Sequence, residues 1–391
     1  MHQKILTGLE VFKQKPPKEL GQKRLGLLAN PASLDRSFTH GAKIIQRLFP
    51  GRLTALFSPQ HGFYADKQDN MIESGHGIEP KLGIPIYSLY SETRIPKQEM
   101  FDQIDTLIID IQDVGTRVYT FIYTISYCLE VAGRMGIPVI ILDRPNPIGG
   151  RLLEGNVLEQ AYSSFVGRFP IPMRHAMTVG EISLFFNQEF NLGCDLRVIP
   201  MEGWKRGMLW HDTGLAWIPP SPNLPTPLSC MVYPGQVIFE GTNISEGRGT
   251  TLPFEQFGAP FLDIERIMEK AGDRISGAVL RKIHFEPTSG KWSNLACKGF
   301  HIHVTDPEAF RPYFTSILIL QIIMEIHPDE FRLKEPPYEY EYRRTPLDLI
   351  LGSRRLREKI QDLEPVEGLE NQWVDELADF SERSGRYYLY G

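Results

Sequence analysis

The feature that most narrows the fold is a series of short, nearly unbroken apolar runs, each ending in a loop of polar and turn-forming residues. Arg24–Asn30, Leu53–Ser58, Ile84–Tyr90, Thr106–Ile111 and Pro138–Asp143 read as five strands, and Leu196–Pro200 as a sixth. Runs that are apolar at nearly every position belong to strands buried on both faces. Helical stretches lie between them, at Gly41–Leu48, at about Tyr119–Met135, and from Thr178 to about Phe190. The last opens with the capping-box pattern Thr178-Val-Gly-Glu181. Thr116 is the expected N-cap of the middle one, and Gly136 with Pro138 its stop. Strands alternating with helices predict an α/β fold: a Rossmann-like, mostly parallel sheet with helices on both faces.

Beyond about residue 204 the pattern changes. Trp, Pro and Gly punctuate an irregular stretch to about Pro260. A helix near Ile264–Ala271, strand-like segments at Leu280–Phe285 and Gly299–Val304, and helices at Pro307–Ile326 and around Pro346–Gln361 follow. The expectation is a Rossmann-like domain over residues 1–203 and a smaller α+β domain over 204–391 that closes a cleft. A chain of 391 residues can bury both cores without a disulfide or metal staple.

Composition removes several function classes. With 42% hydrophobic and 23% charged residues the chain is not a disordered one. A net charge of -6 argues against nucleic-acid binding through bulk charge. No apolar run reaches 18 residues, so no membrane-spanning helix is expected. The opening Met1–Lys15 lacks a signal-peptide core, which predicts a cytoplasmic protein, or an exported one if a longer precursor exists. Cys128, Cys194, Cys230 and Cys297 are scattered and read as reduced and buried. The first strand is followed by Asn30-Pro-Ala-Ser33 rather than GxGxxG, and there is no P-loop, so no cofactor is expected. There is no HExxH, His301-Ile-His303 has no carboxylate close in sequence, and no metal is expected. A G-x-S-x-G nucleophile elbow is also missing.

Carboxylates, arginines, amides and aromatics remain. In open parallel sheets ligands bind outside the carboxyl ends of the strands. The loops Asn30–Ser33, Ser58–Phe63, Tyr87–Glu92, Asp110–Arg117 and Asp143–Gly150 therefore read as one cleft floor, with the glycine-rich Glu240–Thr250 stretch folding over it. Asp113 suits helix capping. Arg117 does not, because a helix N-terminus disfavours cations, and an anion or a buried carboxylate partner is expected there. Glu240, Asn243, Glu246 and Arg248 lie where glycines permit close approach of a ligand. Trp204, Trp210, Trp217, Tyr233 and Phe239 suit stacking on sugar rings.

Six ordered motifs carry a resemblance. They are Ser58-Pro-Gln-His-Gly-Phe63, Asp110-Ile-Gln-Asp-Val-Gly-Thr-Arg117, Leu142-Asp-Arg-Pro-Asn-Pro147, Pro172-Met-Arg-His-Ala-Met-Thr-Val-Gly-Glu181, Pro220-Ser-Pro-Asn-Leu-Pro225 and Phe239-Glu-Gly-Thr-Asn-Ile-Ser-Glu-Gly-Arg-Gly-Thr250. Over roughly residues 7–360 the chain resembles the bacterial YbbC-like/NamZ family of exo-β-N-acetylmuramidases. The resemblance implies a Rossmann-like domain, a smaller second domain, a cleft between them, and release of N-acetylmuramic acid from the non-reducing ends of peptidoglycan fragments. That family often has a glutamate before the His-Gly pair, where this chain has Gln60. An amide cannot donate a proton as a carboxyl does. Glu73, in Asp69-Asn-Met-Ile-Glu73-Ser74, is the nearest substitute.

Glycoside hydrolysis usually takes a general acid and a second carboxylate. The expected set is Glu73 or Glu246 as acid, with Asp113 or Glu240 as the second group. Arg117, Arg174 or Arg248 would pair with the lactyl carboxylate of muramic acid. His61, Asn146 and Asn223 would bind hydroxyl or acetamido groups, and Gln60, His175 and Asn243 complete the candidate binding set. The rival reading is a non-catalytic protein that captures an amino sugar or muropeptide, with Gln60 marking lost chemistry.

Overall fold

The computed structural model describes residues 5–68 and 71–391. The first four residues of the opening segment, and the Asp69-Asn70 pair upstream of Glu73, lie outside them. Among the described residues, nine strands fall in the first half: β1 (Leu25–Ala29), β2 (Leu53–Ser58), β3 (Gly77–Ile78), β4 (Pro85–Ser88), β5 (Thr106–Asp110), β6 (Val139–Leu142), β7 (Glu154–Val157), β8 (Pro172–Arg174) and β9 (Leu196–Ile199). Seven of them form one sheet in the order β3-β4-β2-β1-β5-β6-β9, and only the short β3 runs antiparallel. Taken in chain order, the parallel strands are arranged 3-2-1-4-5-6, the Rossmann order, with its reversal between β1 and β5.

Residues of β1 alternate between two cores, as the two-residue period of a strand requires. Leu25, Leu27 and Ala29 join Leu56 and Ile108 on one face, beneath α1 (Gly8–Gln14) and α2 (Gly41–Leu48). Leu28 joins Phe57, Leu107 and Ile109 on the other, beneath α4 (Phe121–Met135) and α5 (Val179–Glu189), with the short α3 (Gln98–Phe101) at its side. Burial on both faces is why these segments read as continuous apolar runs. The capping box at Thr178 forms as expected, each partner bonding the other's backbone N–H. Gly136 closes α4 in the left-handed conformation, with φ 67°.

The start of α4 differs from expectation. Its N-cap is Thr120, not Thr116, and the Thr120 hydroxyl does not cap the helix. It donates to the side chain of Gln60 instead, at 2.7 Å. Thr116 pairs with Arg174 in an isolated bridge.

The rest of the chain builds a three-stranded antiparallel sheet, β10 (Gln256–Ala259), β12 (Cys297–Val304) and β11 (Ala278–Phe285) in spatial order. Its helices are α6 (Pro227–Gln236), α7 (Ile264–Ala271) and α8 (Pro312–Ile326). They are followed by α9 (Pro346–Leu351), α10 (Arg354–Gln361), α11 (Val366–Asn371) and α12 (Val374–Gly385). The stretch read as irregular holds α6 and β10. Its prolines mislead because Pro227 sits in the first turn, where a proline N–H is not missed, and Pro234 lies inside the helix. The expected helix at Pro346–Gln361 is two, broken at Gly352 with φ 70° and restarted by a Ser353 cap. One hydrophobic cluster runs from the α4 face of the large sheet through Val237 and Phe257 to Ile317, so the two units share a core. All four cysteines are buried and free. Among the described residues no helix is long and apolar enough to cross a membrane.

Candidate active site

A cleft opens where the first unit meets the second. The loop after β2 brings Gln60 and His61; the turn into α4 brings Tyr119 and Thr120. From the other side come Asn223, Tyr233 of α6, Glu240, Arg248 and the pair Tyr338-Glu339. His61 and Gly62 both have positive φ, 74° and 84°, and turn the β2 loop sharply. His61 Nδ1 lies 2.6 Å from the Lys67 carbonyl, so the ring hydrogen belongs there and Nε2 is left as an acceptor. Burial pushes the imidazole down to about 4, against the Lys67 carbonyl, so the ring is neutral at ordinary pH.

Glu339 is the carboxyl that the sequence reading missed. It is 6% exposed. Tyr90 donates to its Oε2 at 2.5 Å, and Gln60 donates through Nε2 to its Oε1 at 3.1 Å. Glu339 and Tyr340 are the central residues of a turn closed by reciprocal backbone bonds between Tyr338 and Glu341. Both have positive φ, 47° and 66°, a conformation that costs a non-glycine residue energy. Burial raises the Glu339 carboxyl above the ordinary range, outweighing the donors Tyr90 and Gln60, and nearby Glu240 adds to the rise.

The second carboxylate, Glu240, sits in the single turn Val237–Gly241. Tyr338 donates to its Oε2 at 2.6 Å, and Arg248 donates to its Oε1 at 2.7 Å. Behind Arg248 lies Glu246, 3.3 Å from the Arg248 Nε and 2.8 Å from Lys291 Nζ. Burial would raise Glu246, but the charges of Lys291 and Arg248 outweigh it and hold the carboxyl below its usual range. A group held ionised by two cations is a poor proton donor. Glu246 is thus a structural counter-ion, not the acid expected from the sequence. Lys291 completes its coordination on the carbonyls of Phe239 and Ile244.

The expected set divides sharply. Gln60, His61, Asn223, Glu240 and Arg248 line the cleft, with Glu246 one layer behind. Glu73 is not among the lining residues; its side chain is half exposed, 3.9 Å from Arg94. Asn243 is a latch elsewhere: it binds the Glu330 carbonyl and the Arg332 N–H. Asn146 holds the Met177 carbonyl and the Ile148 N–H and packs against Gly115. Arg117 is fully buried, and its guanidinium donates to the carbonyls of Asn156, Ile171, Ile350 and Leu351. Carbonyl dipoles, not an anion, explain a cation at that position. Arg174 is also buried and donates to the Ile148 carbonyl. Neither arginine reaches the cleft, which leaves Arg248 from the three candidates for the lactyl group.

Asp113 and His175 are buried together, Nε2 lying 3.8 Å from Oδ2, with Asp113 also accepting the Gly115 N–H. Desolvation raises Asp113 to about 7 and lowers His175 to about 3, so the two face each other near neutral pH without full charges. Of the five strand-end loops, the second supplies cleft residues and the third supplies Tyr90, a direct partner of one; the fourth leads into the cleft only through the residues that follow it, Val118 to Thr120. The first, fourth and fifth border a separate cavity at the β1–β5 reversal, where Arg144 is locked onto buried Asp110. Trp204, Trp210 and Trp217 pack away from the cleft, on Tyr390 and on each other. Phe239 stacks in the core on Phe257. The cleft's aromatics are Tyr119, Phe121, Tyr233, Phe254 and Tyr338. His301 has a carboxylate nearby after all, Glu255 at 3.8 Å.

Comparison with known proteins agrees with this architecture. The description "Exo-beta-N-acetylmuramidase NamZ, N-terminal" matches residues 25–228, and its C-terminal counterpart matches residues 231–390. The peptidoglycan beta-N-acetylmuramidase NamZ of Bacillus subtilis (strain 168) is 41% identical over 388 residues, covering 99% of this chain and 92% of that protein. Two DUF1343 family proteins of Bacteroides fragilis NCTC 9343 have similar crystal structures. One has a TM-score of 0.90 at 34% identity, with 99% of each chain covered. The other has a TM-score of 0.77 at 27% identity, again over 99% of each chain.

Proposed function

The chain belongs to the NamZ exo-β-N-acetylmuramidase family, and from that premise we propose how its own side chains divide the work of cutting a muramic acid glycoside. The protein is a glycoside hydrolase that releases N-acetylmuramic acid from peptidoglycan-derived glycans. Glu339 is its general acid. Glu240 is the second carboxylate, and Arg248 receives the lactyl carboxylate. The observation that carries this reading is the meeting of two carboxyl groups with opposed partners in one cleft. Glu339 is held by the neutral donors Tyr90 and Gln60, whereas Glu240 is ion-paired to a guanidinium. Burial favours a proton on Glu339, as an acid needs, while Glu240 faces a cation.

In the forward step the Glu339 proton passes to the glycosidic oxygen as its bond to C1 breaks, and the remaining glycan leaves as an alcohol. Positive charge growing at C1 is met by Glu240. Water then adds at C1, and the proton it loses restores the acid–base pair. Gln60 takes no proton in this scheme. It orients Glu339 while Thr120 holds its own carbonyl oxygen. Gln60 therefore marks relocated chemistry rather than lost chemistry.

The test uses two substrates with different leaving groups. Glu339→Gln should lower kcat/KM on a muramyl-β-1,4-N-acetylglucosamine disaccharide by about 10²–10⁴-fold, the usual worth of general acid catalysis. On a nitrophenyl N-acetylmuramide the loss should be much smaller, since nitrophenolate departs without a proton. A folded variant that still turns over the disaccharide at the native rate removes Glu339 from the acid role.

A further inference from the structure

Beside the cleft runs a second, open groove of about 620 Å³. Asn223 lines both. The glycine-rich loop also passes from one to the other in consecutive residues: Arg248 faces the cleft, and Gly249, Thr250 and Thr251 line the groove. The floor is rigidly built. Thr288 donates to the Gly249 carbonyl through both its N–H, at 2.8 Å, and its hydroxyl, at 2.9 Å. Gly249 has φ 77°, and a Cβ there would lie 2.3 Å from the Ser289 carbonyl oxygen, so the two segments are pressed together. Gln256 donates to the Thr250 hydroxyl at 2.8 Å and fixes it against the same loop.

The groove's chemistry is specific in kind. Its polar lining is amide and hydroxyl: Gln256, Asn223, Thr250, Thr251, Thr288 and Ser289. Pro222, Pro225, Pro253 and Phe285 add flat apolar surface. Among the described residues Glu286 is the one charged residue of that lining, and no lysine or arginine belongs to it. Such a wall offers nothing to the carboxylates of a peptide. It suits an uncharged pyranose, whose hydroxyl and acetamido groups need hydrogen bonds and whose C–H faces need an apolar plate.

We propose that this groove binds the leaving side of the substrate, as a subsite for one or more uncharged N-acetylamino sugars beyond the scissile bond. The inference rests on the glycosidase reading of the cleft and adds where the rest of the glycan lies. It explains the geometry of an exo-acting enzyme. The terminal muramic acid is taken at the cleft, and the chain that must leave lies in the open groove.

Thr251 and Ser289 are exposed groove residues, so Thr251→Trp and Ser289→Trp block the groove without touching the cleft. Each should lower kcat/KM on the muramyl-N-acetylglucosamine oligosaccharide at least tenfold, chiefly through KM. Turnover of nitrophenyl N-acetylmuramide should stay within twofold of native. In calorimetric titration the native protein should bind N,N′-diacetylchitobiose, and both variants should lose that binding. Unchanged oligosaccharide kinetics, or equal losses on both substrates, would overturn the groove assignment. If the native protein cleaves neither substrate, the glycosidase reading falls, and the chitobiose titration alone decides the groove.

Discussion

At the level of single residues, Gln60 and Glu339 form the most informative pair. Their side chains meet at 3.1 Å, with the amide donating. Replacing the amide by a carboxyl, Gln60→Glu, keeps the shape but puts two acids in contact. Two carboxyls that close cannot both ionise readily, so the pair should retain a proton to higher pH. Activity that needs a protonated acid falls as pH rises through the acid's value. The basic limb of kcat/KM against pH should therefore move upward in Gln60→Glu, by about one unit or more. A limb that stays in place would separate Glu339 from the step that limits the profile. The sequence made only half of this pair readable. Gln60 stands in a motif after an apolar strand, whereas Glu339 follows a proline pair in a segment with no periodicity. Nothing local announces that Tyr338 and Glu341 close a turn with positive φ at Glu339, because non-glycine residues seldom adopt it. His61, Glu240 and Arg248 were legible for the opposite reason, since each lies in a glycine-marked loop.

At the level of elements, Arg117 explains how a loop of the large sheet is fastened to helices far along the chain. Its NH1 serves Asn156 of β7 and Ile171 before β8. Its NH2 serves Ile350 and Leu351 at the end of α9, at 3.0 and 2.8 Å. A cation at a helix C-terminus is favourable, and these last carbonyls lack partners within the helix. Arg117→Met keeps the apolar bulk but strands buried carbonyls, so unfolding in denaturant should come earlier by about 3 kcal/mol or more. The folded fraction of the variant should keep native kcat/KM within a few-fold at low temperature, because Arg117 does not line the cleft. A large catalytic loss with unchanged stability would return Arg117 to the substrate site. The regular elements of the sheet were readable from apolar runs because burial on both faces leaves that trace. Arg117 was anomalous in sequence for a sound physical reason, its position before a helix. Its partners are carbonyls, the two on α9 more than 200 residues away, and carbonyls leave no sequence signal. The same holds for β7 and β8, which lack alternation, and for α6, whose prolines disguise it.

Across the whole molecule, the last residues of the sequence return to the large sheet and close on Asp143 at the end of β6. That carboxylate is fully buried. It accepts from Tyr390 OH at 2.5 Å, from Thr178 Oγ1 at 2.8 Å and from the Gly180 N–H at 2.8 Å. Its carbonyl accepts the Gly8 N–H of α1 at 2.8 Å, so the two ends of the described chain converge on one residue. The Leu389 N–H donates to the Glu181 carboxylate, and Tyr388 lies under the Arg206 guanidinium. The Asp143 motif read from sequence as cleft floor is therefore the joint that holds both units to the sheet edge. Burial raises Asp143 to about 6 despite these donors, Tyr390 the foremost, which fixes the sign of its pH dependence. With its folded value above the ordinary one near 4, the native state binds the proton more tightly than the unfolded chain. Stability is thus lost as pH rises from about 4 to 6 and levels off once the carboxylate has ionised in place. Tyr390→Phe removes a donor from the ionised form, so the folded value rises further and the loss continues past pH 6. The variant also strands the Met201 N–H, which now bonds the phenol oxygen, at a cost that does not vary with pH. Measured by urea denaturation, its deficit against native should be the Met201 cost alone near pH 4 and should grow by about 1.5–3 kcal/mol by pH 8, the worth of a hydrogen bond to a charged group. A deficit of the same size at both ends of that range would mean that Asp143 does not ionise within the fold.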